Sequence, residues 1–422
     1  MRGMKVVVPA MRQIDLREYQ QSEYSLSDAQ RDALLSEKKA LDLTIEPVMG
    51  REGTYTLRPG STVGAVEIDD LSVLIQPKIG IPQLLSLACY AMEVYKPQDK
   101  RLFDFEEEYA LPDTLALALH AAGRRAFSRG LLHGYRTEEE ALHTVRGRIR
   151  FADQIRQRFG IPLPIEVRYD EFTDDITENQ LVKAAVARLG GMRLRSRQAR
   201  RNLGWIAATL ENVSPVEFAP RDVPDVTFDR LNEHYRGVVG LSRLILRHSA
   251  FEAKRGEVRA TGFLMDMNVL FQEFVTVALR EALGVSEHVL YSDKQLTGNR
   301  RIYLAEPRRV SLEPDLTWWD GETCTFVGDA KYKRVSVEGV PNADLYQLLA
   351  YATALDLPGG LLIYAQGEAE TETYTVRNSG KRLDVVALDL RGSLNAVLKR
   401  IDRIAESVKA LRDEFGALRP AA

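Results

Sequence analysis

Short apolar, β-branched runs alternate with turn residues at the beginning of the chain. Glycines, Pro59 and the Asp69-Asp70 pair separate runs at residues 41–48, 54–57, 63–68 and 72–75. Alternation at this spacing predicts a small antiparallel sheet or a barrel-like module. A helix over residues 27–39 is predicted before it, with Ser25 or Ser27 as the N-cap.

Helical periodicity dominates the middle of the chain. Apolar residues recur at helical spacing over residues 81–95, 111–132, 179–189 and 231–248. Between them, residues 142–151 and 165–169 predict strands or a β-ribbon. A further helix is predicted after Gly190-Gly191, and it would carry Arg193, Arg195, Arg197, Arg200 and Arg201. This basic run is either a solvated helix face or a surface for an anionic partner, which would be nucleic acid or an acidic groove of another protein.

Helices and strands alternate in the last part of the chain. Asp266 is placed to cap a helix whose apolar face runs from Leu270 to Leu279. Two apolar runs joined at Asp320-Gly321 predict a β-hairpin. Other β-type runs cover residues 289–291, 301–304 and 360–364, and a helix is predicted over 343–355. The order of these elements predicts an α/β core with a mixed sheet.

The chain is long enough for several domains. The best linker candidate is the stretch with three prolines from Pro215 to Pro224. We therefore expect a multidomain protein of mixed α/β and α+β class. The predicted parts are a β-rich module over residues 1–80, a helical and β-ribbon region over 81–225, and an α/β domain over 226–422.

Composition excludes several classes of protein. The net charge of −3 gives no global attraction to nucleic acid, so DNA contacts require local basic patches. Cys89 and Cys324 are too few for a disulfide framework or a zinc site, and we expect buried, reduced thiols in a cytoplasmic protein. No apolar run approaches the roughly 20 residues that span a bilayer. A phosphate-cradling G-x-x-x-x-G-K-[ST] loop is also missing, so any nucleotide hydrolysis would require a partner.

The predicted hairpin carries the residues with the clearest chemistry. Asp329 and Lys331 are two apart on its second strand, so their side chains leave one face about 6.6 Å apart along the strand. Asp315 can meet them from the first strand. Glu273 lies on the flank of the preceding helix, and Gln347 and Tyr351 are four apart on one face of the following helix.

These residue types fit a metal-dependent nuclease. Mg²⁺ takes oxygen ligands, usually one or two carboxylates with water and substrate phosphate. Asp315 and Asp329 would be the ligands with Glu273 as an accessory, and Lys331 would orient water or stabilise the developing charge. Each part is common by itself, since an Asp-x-Lys strand is more often an exposed ion pair. Their order around one hairpin favours the nuclease.

The same residues resemble the PD-(D/E)xK nuclease superfamily, in particular its RecB-like branch with a Gln-x-x-x-Tyr helix. Further motifs are similar to the McrC family, the cleavage subunits of McrBC modification-dependent restriction systems. These motifs cover most of the chain in order: Ile75-Gln76-Pro77-Lys78-Ile79-Gly80, Val145-Arg146-Gly147-Arg148-Ile149, Tyr169-Asp170-Glu171-Phe172-Thr173 with Glu178-Asn179, Phe263 to Val275, and Asp329-Ala330-Lys331-Tyr332-Lys333. McrC helices often have two acids where this chain has Gln272-Glu273, so the helix acid rests on Glu273.

The resemblance implies a restriction-endonuclease-like domain that cuts double-stranded, modified DNA with Mg²⁺, or with Mn²⁺ as an alternative. It also implies an N-terminal finger-like region that binds and stimulates a hexameric McrB-like AAA+ GTPase, dimerisation when two complexes meet, and a role in antiviral defence. Candidate partner-binding residues are Arg146, Arg148, Arg193, Arg195 and Arg197. Two alternatives stay open: an NTPase-activating interaction protein with a vestigial nuclease, and a stand-alone RecB-like repair nuclease.

Overall fold

The computed structural model describes residues 11–92, 110–159, 161–249, 260–335, 340–367 and 372–418. The chain is divided into two compact units. The first combines Met1–Glu108 with Glu252–Ala422, and the second is Tyr109–Phe251. The predicted ranges 1–80, 81–225 and 226–422 do not follow this division, because both ends of the chain belong to one unit. The proline stretch expected to be a linker lies inside the second unit.

The described N-terminal part contains the strands predicted for it. Ser27 accepts a hydrogen bond from the Gln30 amide and caps the first helix, as predicted. Two strands in front of that helix were not predicted. The elements are β1 (Arg12–Arg17), β2 (Ser22–Ser25), α1 (Asp28–Ser36), β3 (Leu43–Pro47), β4 (Thr54–Pro59), β5 (Thr62–Ile68), β6 (Leu71–Gln76) and α2 (Ile81–Ala91).

The described part of the second unit contains five α-helices and a three-stranded β-ribbon. Its helices and strands are α3 (Leu111–Ala126), β7 (Gly134–Leu142), β8 (Arg148–Ile149), α4 (Phe151–Arg158), β9 (Ile165–Thr173), α5 (Thr177–Gly190), α6 (Arg197–Thr209) and α7 (Arg236–His248). Strand β9 pairs with both β7 and β8. A strand or β-ribbon was predicted over residues 142–151, and the structure has the ribbon, since Leu142 ends β7 and Arg148–Ile149 form β8; only the end of the range is wrong, because a helix begins at Phe151.

Helix α6 begins later than its sequence pattern predicts. Ser196 caps it by accepting a hydrogen bond from the Ala199 amide, and the Asp113 carboxylate accepts from the Arg195 and Ser196 amides. Arg193 and Arg195 thus precede the helix instead of lying on it. The apolar pattern could not reveal this boundary, because Asp113 comes from a distant helix.

The remaining elements complete the first unit. They are β10 (Ala260–Asp266), α8 (Met267–Leu283), β11 (Leu290–Tyr291), β12 (Ile302–Tyr303), β13 (Ser311–Leu312), β14 (Leu316–Asp320), β15 (Thr323–Val335), α9 (Asn342–Ala354), β16 (Gly359–Gly367), β17 (Glu372–Thr375), β18 (Arg382–Ala387) and α10 (Leu394–Leu418). Asp266 caps α8 through the Asn268 amide, and the hairpin turn lies at Gly321 with φ +65°, both as predicted.

A six-stranded mixed sheet, ordered β11-β14-β15-β16-β18-β17, carries the predicted hairpin. Strands β15, β16 and β18 are parallel neighbours, and β14 and β17 run antiparallel to their partners. Residues 361–365 of β16 are all buried, as a central strand covered on both faces requires. Helix α9 packs Leu348, Tyr351 and Ala352 into the same core as Leu362 and Tyr364. The predicted mixed α/β architecture is confirmed.

The N-terminal sheet joins this domain through one strand. β10 pairs antiparallel with β5 in a four-stranded sheet ordered β1-β6-β5-β10. The two backbones approach closely at Gly64, where a Cβ would lie 1.9 Å from the Phe263 carbonyl oxygen. This pairing is why residues 11–92 and the C-terminal domain form one compact unit.

Candidate metal centre

Strand β15 extends beyond the end of its neighbour β14. The last pair of their ladder is Leu316 with Gly328, so the following backbone groups of β15 on that edge need other partners. The Asp315 carboxylate takes the first of them, since its Oδ2 accepts a hydrogen bond of 2.8 Å from the Ala330 amide. Pairing between the two strands thus brings Asp315 to the residues that follow Gly328.

Asp315, Asp329 and Lys331 come together at this edge. The Lys331 Nζ lies 2.5 Å from Asp329 Oδ2, and Asp329 is only 1% exposed. Lys331 is thus the charge partner of Asp329, and no further donor to the Asp329 carboxylate is seen among the described residues. A buried carboxylate in this state is costly unless a cation or donor compensates it.

Burial makes both carboxyl groups harder to ionise, and the Asp329 charge adds to this effect at Asp315. Burial, and then the neighbouring Asp329 charge, raises the pKa of Asp315 to about 8. Burial also raises the pKa of Asp329, although Lys331 and then hydrogen bonding with Asp315 act in the opposite direction. One ammonium therefore does not balance the pair, and the site fits a hard divalent cation that prefers oxygen ligands.

Lys331 keeps its charge in this setting. Burial lowers the pKa of the ammonium, but the Asp329 and Asp315 carboxylates outweigh burial, and the net shift is upward. The side chain is about one-fifth exposed, so it is anchored on Asp329 yet reachable from solvent.

Gln347 and Tyr351 support the loop that holds Asp315. The Gln347 amide donates to the Tyr351 hydroxyl at 2.6 Å, and that hydroxyl donates to the Glu313 carbonyl at 3.2 Å. Tyr351 is 2% exposed. The pair predicted to share a helix face does so, and its described contacts are with the Glu-Pro-Asp segment.

Glu273 lies apart from the pair of aspartates. Its carboxylate pairs with the Lys294 ammonium at 2.8 Å near the surface. Helix α8 packs on the face of β15 that carries Tyr332, as the ring contact with Phe271 shows, whereas Asp329 points from the opposite face. Within the described residues, no set of three or more His, Cys, Asp or Glu side chains converges to hold a metal.

A second charged group on this strand was not singled out from the sequence. Lys333 Nζ lies 2.9 and 2.7 Å from the two oxygens of Asp344, and the Tyr364 hydroxyl also donates to Asp344. The Lys-x-Lys spacing after Asp329 was the available indication. Asp344 could not be found from spacing, because it comes from α9.

The arginines predicted to face a partner are all exposed. Arg146 stacks its guanidinium 3.9 Å from the Tyr169 ring centroid and lies 3.4 Å from Glu171. Arg148 lies on β8. No ion pair involving Arg193, Arg195 or Arg197 is seen in the part of the chain that the structure describes.

Comparison with known proteins identifies the family of the chain. The family model of the McrBC 5-methylcytosine restriction system component matches residues 57–365. The Type IV methyl-directed restriction enzyme EcoKMcrBC of Escherichia coli K12 is 24% identical over 306 residues, which is 68% of this chain and 86% of that protein.

One solved structure with a similar fold is a chain of a Thermococcus gammatolerans half-complex of McrB AAA+ hexamers with bound McrC. It is 19% identical, with a TM-score of 0.58, covering 94% of this chain and 100% of that one. A chain of the T. gammatolerans McrBC complex is 18% identical with a TM-score of 0.41, over 64% and 88% of the two chains. Among the described helices, none has the length and apolar character to cross a membrane.

Proposed function

Because the chain belongs to the McrBC restriction family, we propose that it is the DNA-cleaving subunit of a McrBC-like complex. It hydrolyses phosphodiesters of modified double-stranded DNA as a Mg²⁺-dependent PD-(D/E)xK endonuclease, with Mn²⁺ as an alternative metal. We place it in the cytoplasm, in defence against viruses. The observation that carries this proposal is the pair of buried carboxyl groups of Asp315 and Asp329, which face the single ammonium of Lys331.

Each residue of the centre has a distinct task. Asp315 and Asp329 would hold the metal, which supplies an activated water and neutralises charge on the scissile phosphate. Lys331, held on Asp329, presents a compact cation toward the phosphate and stabilises the charge that develops on it. Tyr351 fixes the Glu313 backbone and so keeps Asp315 at the Ala330 amide. Glu273 pairs with Lys294, and its helix packs on the opposite face of β15, so it would act as an accessory acid only if that helix moved as well.

Single substitutions in the metal centre test the proposed nuclease activity. Asp329→Asn and Lys331→Ala should each lower Mg²⁺-dependent cleavage of modified DNA, in the presence of the AAA+ partner, by at least about 10³-fold. Asp320→Asn is the matched control, because Asp320 lies at the far end of the same hairpin and pairs with Arg412. Metal-dependent cutting at wild-type rates by both centre variants would rule the proposal out.

The β-ribbon of the second unit is the proposed contact with a McrB-like AAA+ GTPase ring. Helix α4 has no buried residue, and its apolar side chains Phe151 and Ile155 lie one turn apart, 69% and 68% exposed. Phe159 follows at 89% exposed, with Arg148 on the adjoining strand. Exposed apolar residues in such a cluster are typical of a protein-binding surface.

Stimulation of the partner's GTPase tests this surface. Phe151→Ser with Ile155→Ser, and separately Arg148→Ala, should reduce stimulation of a McrB-like partner about tenfold or more. Leu231→Ser is the matched control, because Leu231 is an equally exposed apolar residue of the same unit outside the ribbon. Unchanged stimulation by the Phe151/Ile155 and Arg148 variants would show that the partner binds elsewhere on the chain.

The two experiments together also separate the alternatives. Full GTPase stimulation by a wild-type chain that never cuts DNA would favour an activating protein with a vestigial nuclease. Cleavage that needs no partner would favour a stand-alone repair nuclease.

A further inference from the structure

Strand β15 contains a β-bulge immediately after Lys331. Lys331 pairs with Tyr364 of β16, and the next pair is Arg334 with Gln366. Tyr332 and Lys333 therefore lie opposite the single residue Ala365, and the ladder is interrupted there. On its other edge, β15 has already passed the end of β14. The backbone next to Lys331 thus lacks regular sheet pairing on both sides.

Side chains that follow the first strand of the N-terminal sheet form hydrogen bonds with β15 at this point. The Tyr19 hydroxyl donates to the Tyr332 carbonyl at 3.1 Å, and the Tyr332 hydroxyl donates to Glu18 Oε1 at 3.0 Å. Backbone groups two residues apart point to the same edge of a strand, so the Tyr332 carbonyl continues the edge on which Asp315 holds the Ala330 amide. Tyr332 is consequently held through its backbone and through its side chain.

Glu18 and Tyr19 are themselves firmly anchored just after β1. The Glu18 amide donates to the Gln76 carbonyl at 3.1 Å and the Tyr19 amide to the Pro59 carbonyl at 2.9 Å. The Glu18 side chain is fully buried and also accepts from the Lys78 amide. The Lys78 ammonium lies 3.9 Å from the Tyr19 ring centroid.

We propose that Glu18 and Tyr19 are positioning residues for Lys331, which they act on through Tyr332. Neither contacts Lys331 or the aspartates, because Tyr332 points from the opposite face of β15. The N-terminal sheet thereby sets the geometry of the cleavage centre. Without that sheet, the backbone next to Lys331 would be less firmly held. The expected effect on catalysis rests on the proposed nuclease function. The mechanical part, which is the effect of Glu18 and Tyr19 on the backbone around Tyr332, does not rest on it.

Hydrogen exchange on the full-length chain tests the mechanical part. Tyr19→Phe and Tyr332→Phe each remove one hydroxyl and keep the ring. Backbone amides of residues 328–333 should exchange about fivefold faster in either variant, as the loss of one hydrogen bond predicts. Tyr24→Phe is the matched control, since the Tyr24 hydroxyl donates to the Asp15 carbonyl within the N-terminal part itself. Unchanged exchange at 328–333 in both variants would overturn the inference, whatever the chain cleaves.

Steady-state cleavage in the complex with the AAA+ partner tests the catalytic part. Tyr19→Phe and Tyr332→Phe should lower kcat about 10- to 100-fold, while KM for DNA and GTPase stimulation stay within twofold. Glu18→Gln keeps an acceptor for Tyr332 and should retain kcat within about threefold, whereas Glu18→Ala should lose as much as Tyr332→Phe.

The possible failures are distinguishable. Equal kcat in Tyr19→Phe, Tyr24→Phe and wild type would refute the positioning role while leaving the nuclease intact. A rise in KM without a fall in kcat would also refute it, because that points to DNA binding. A wild-type chain that does not cleave at all would refute the proposed function, and the exchange data would still decide whether the N-terminal sheet holds Tyr332.

Discussion

Neutralising one acid of the centre should make the metal-free protein more stable. In Asp315→Asn, the asparagine retains an oxygen that can accept from the Ala330 amide, and its amide group can donate to Asp329 beside Lys331. The substitution therefore removes the repulsion between the carboxylates without leaving a buried group unpaired. A residue that disfavours the fold but is required by chemistry is typical of functional sites.

The size of the effect follows from the Asp315 carboxyl. Its pKa rises from an ordinary value of 3.8 to about 8 in the fold, mainly because of burial and then because of Asp329. Linkage converts such a shift into about 4 kcal/mol of lost folding free energy at pH 7. The penalty is absent below about pH 4, grows as the pH rises, and is complete above about pH 8. We expect Asp315→Asn to gain about 2–4 kcal/mol at neutral pH.

Thermal unfolding in EDTA from pH 4 to pH 8.5 measures this gain. The Tm of Asp315→Asn minus that of the wild type should be near zero at pH 4 and rise to about 5 °C or more at pH 8. Excess Mg²⁺ should stabilise the wild type and leave the variant unchanged. Asp384→Asn is the control, because Asp384 is equally buried but accepts from Thr373 and Arg382, and its loss should lower Tm. A variant less stable than wild type at pH 8 in EDTA would refute the reasoning.

Three further changes probe the fold and the support of the site. Gly64→Ala should destabilise the first unit by about 3 kcal/mol or more in denaturant unfolding, because φ is +139° and the new Cβ would meet the Phe263 carbonyl. Lys183→Met should cost the second unit about 1–3 kcal/mol, because the Lys183 ammonium donates to three backbone carbonyls after α6. Tyr351→Phe should lower the cleavage rate about tenfold with a Tm change under a few degrees, because it frees the Glu313 carbonyl.

The accuracy of the sequence-based fold prediction followed how local each element is. The hairpin at Gly321, the caps Ser27 and Asp266, and the apolar runs of the N-terminal sheet depend on neighbours in sequence, and the structure has them. Helix α4 was missed because its apolar residues face solvent, so that no core requires a helical pattern there. The start of α6 was misplaced because Asp113 from α3 helps to cap it.

The parts of the candidate site that could be predicted are likewise those that depend on near neighbours in sequence. The spacing of Asp329 and Lys331 and the hairpin that returns Asp315 to them could be predicted, because strand geometry and a two-residue turn determine both. The separation of Glu273 from this pair could not, because it depends on which face of β15 receives α8. Likewise, spacing could not show that Asp344 from α9 would pair with Lys333.

The sequence by itself thus determined the chemical groups of the centre and their local geometry, because alternation and turn formation act between near neighbours. Only the tertiary structure decided how that centre is supported. Glu18 and Tyr332 are more than 300 residues apart, and they meet because β10 pairs with β5 and brings the N-terminal sheet onto the C-terminal domain. A contact of that kind results from the burial of whole sheets and helices, which no local pattern of residues encodes.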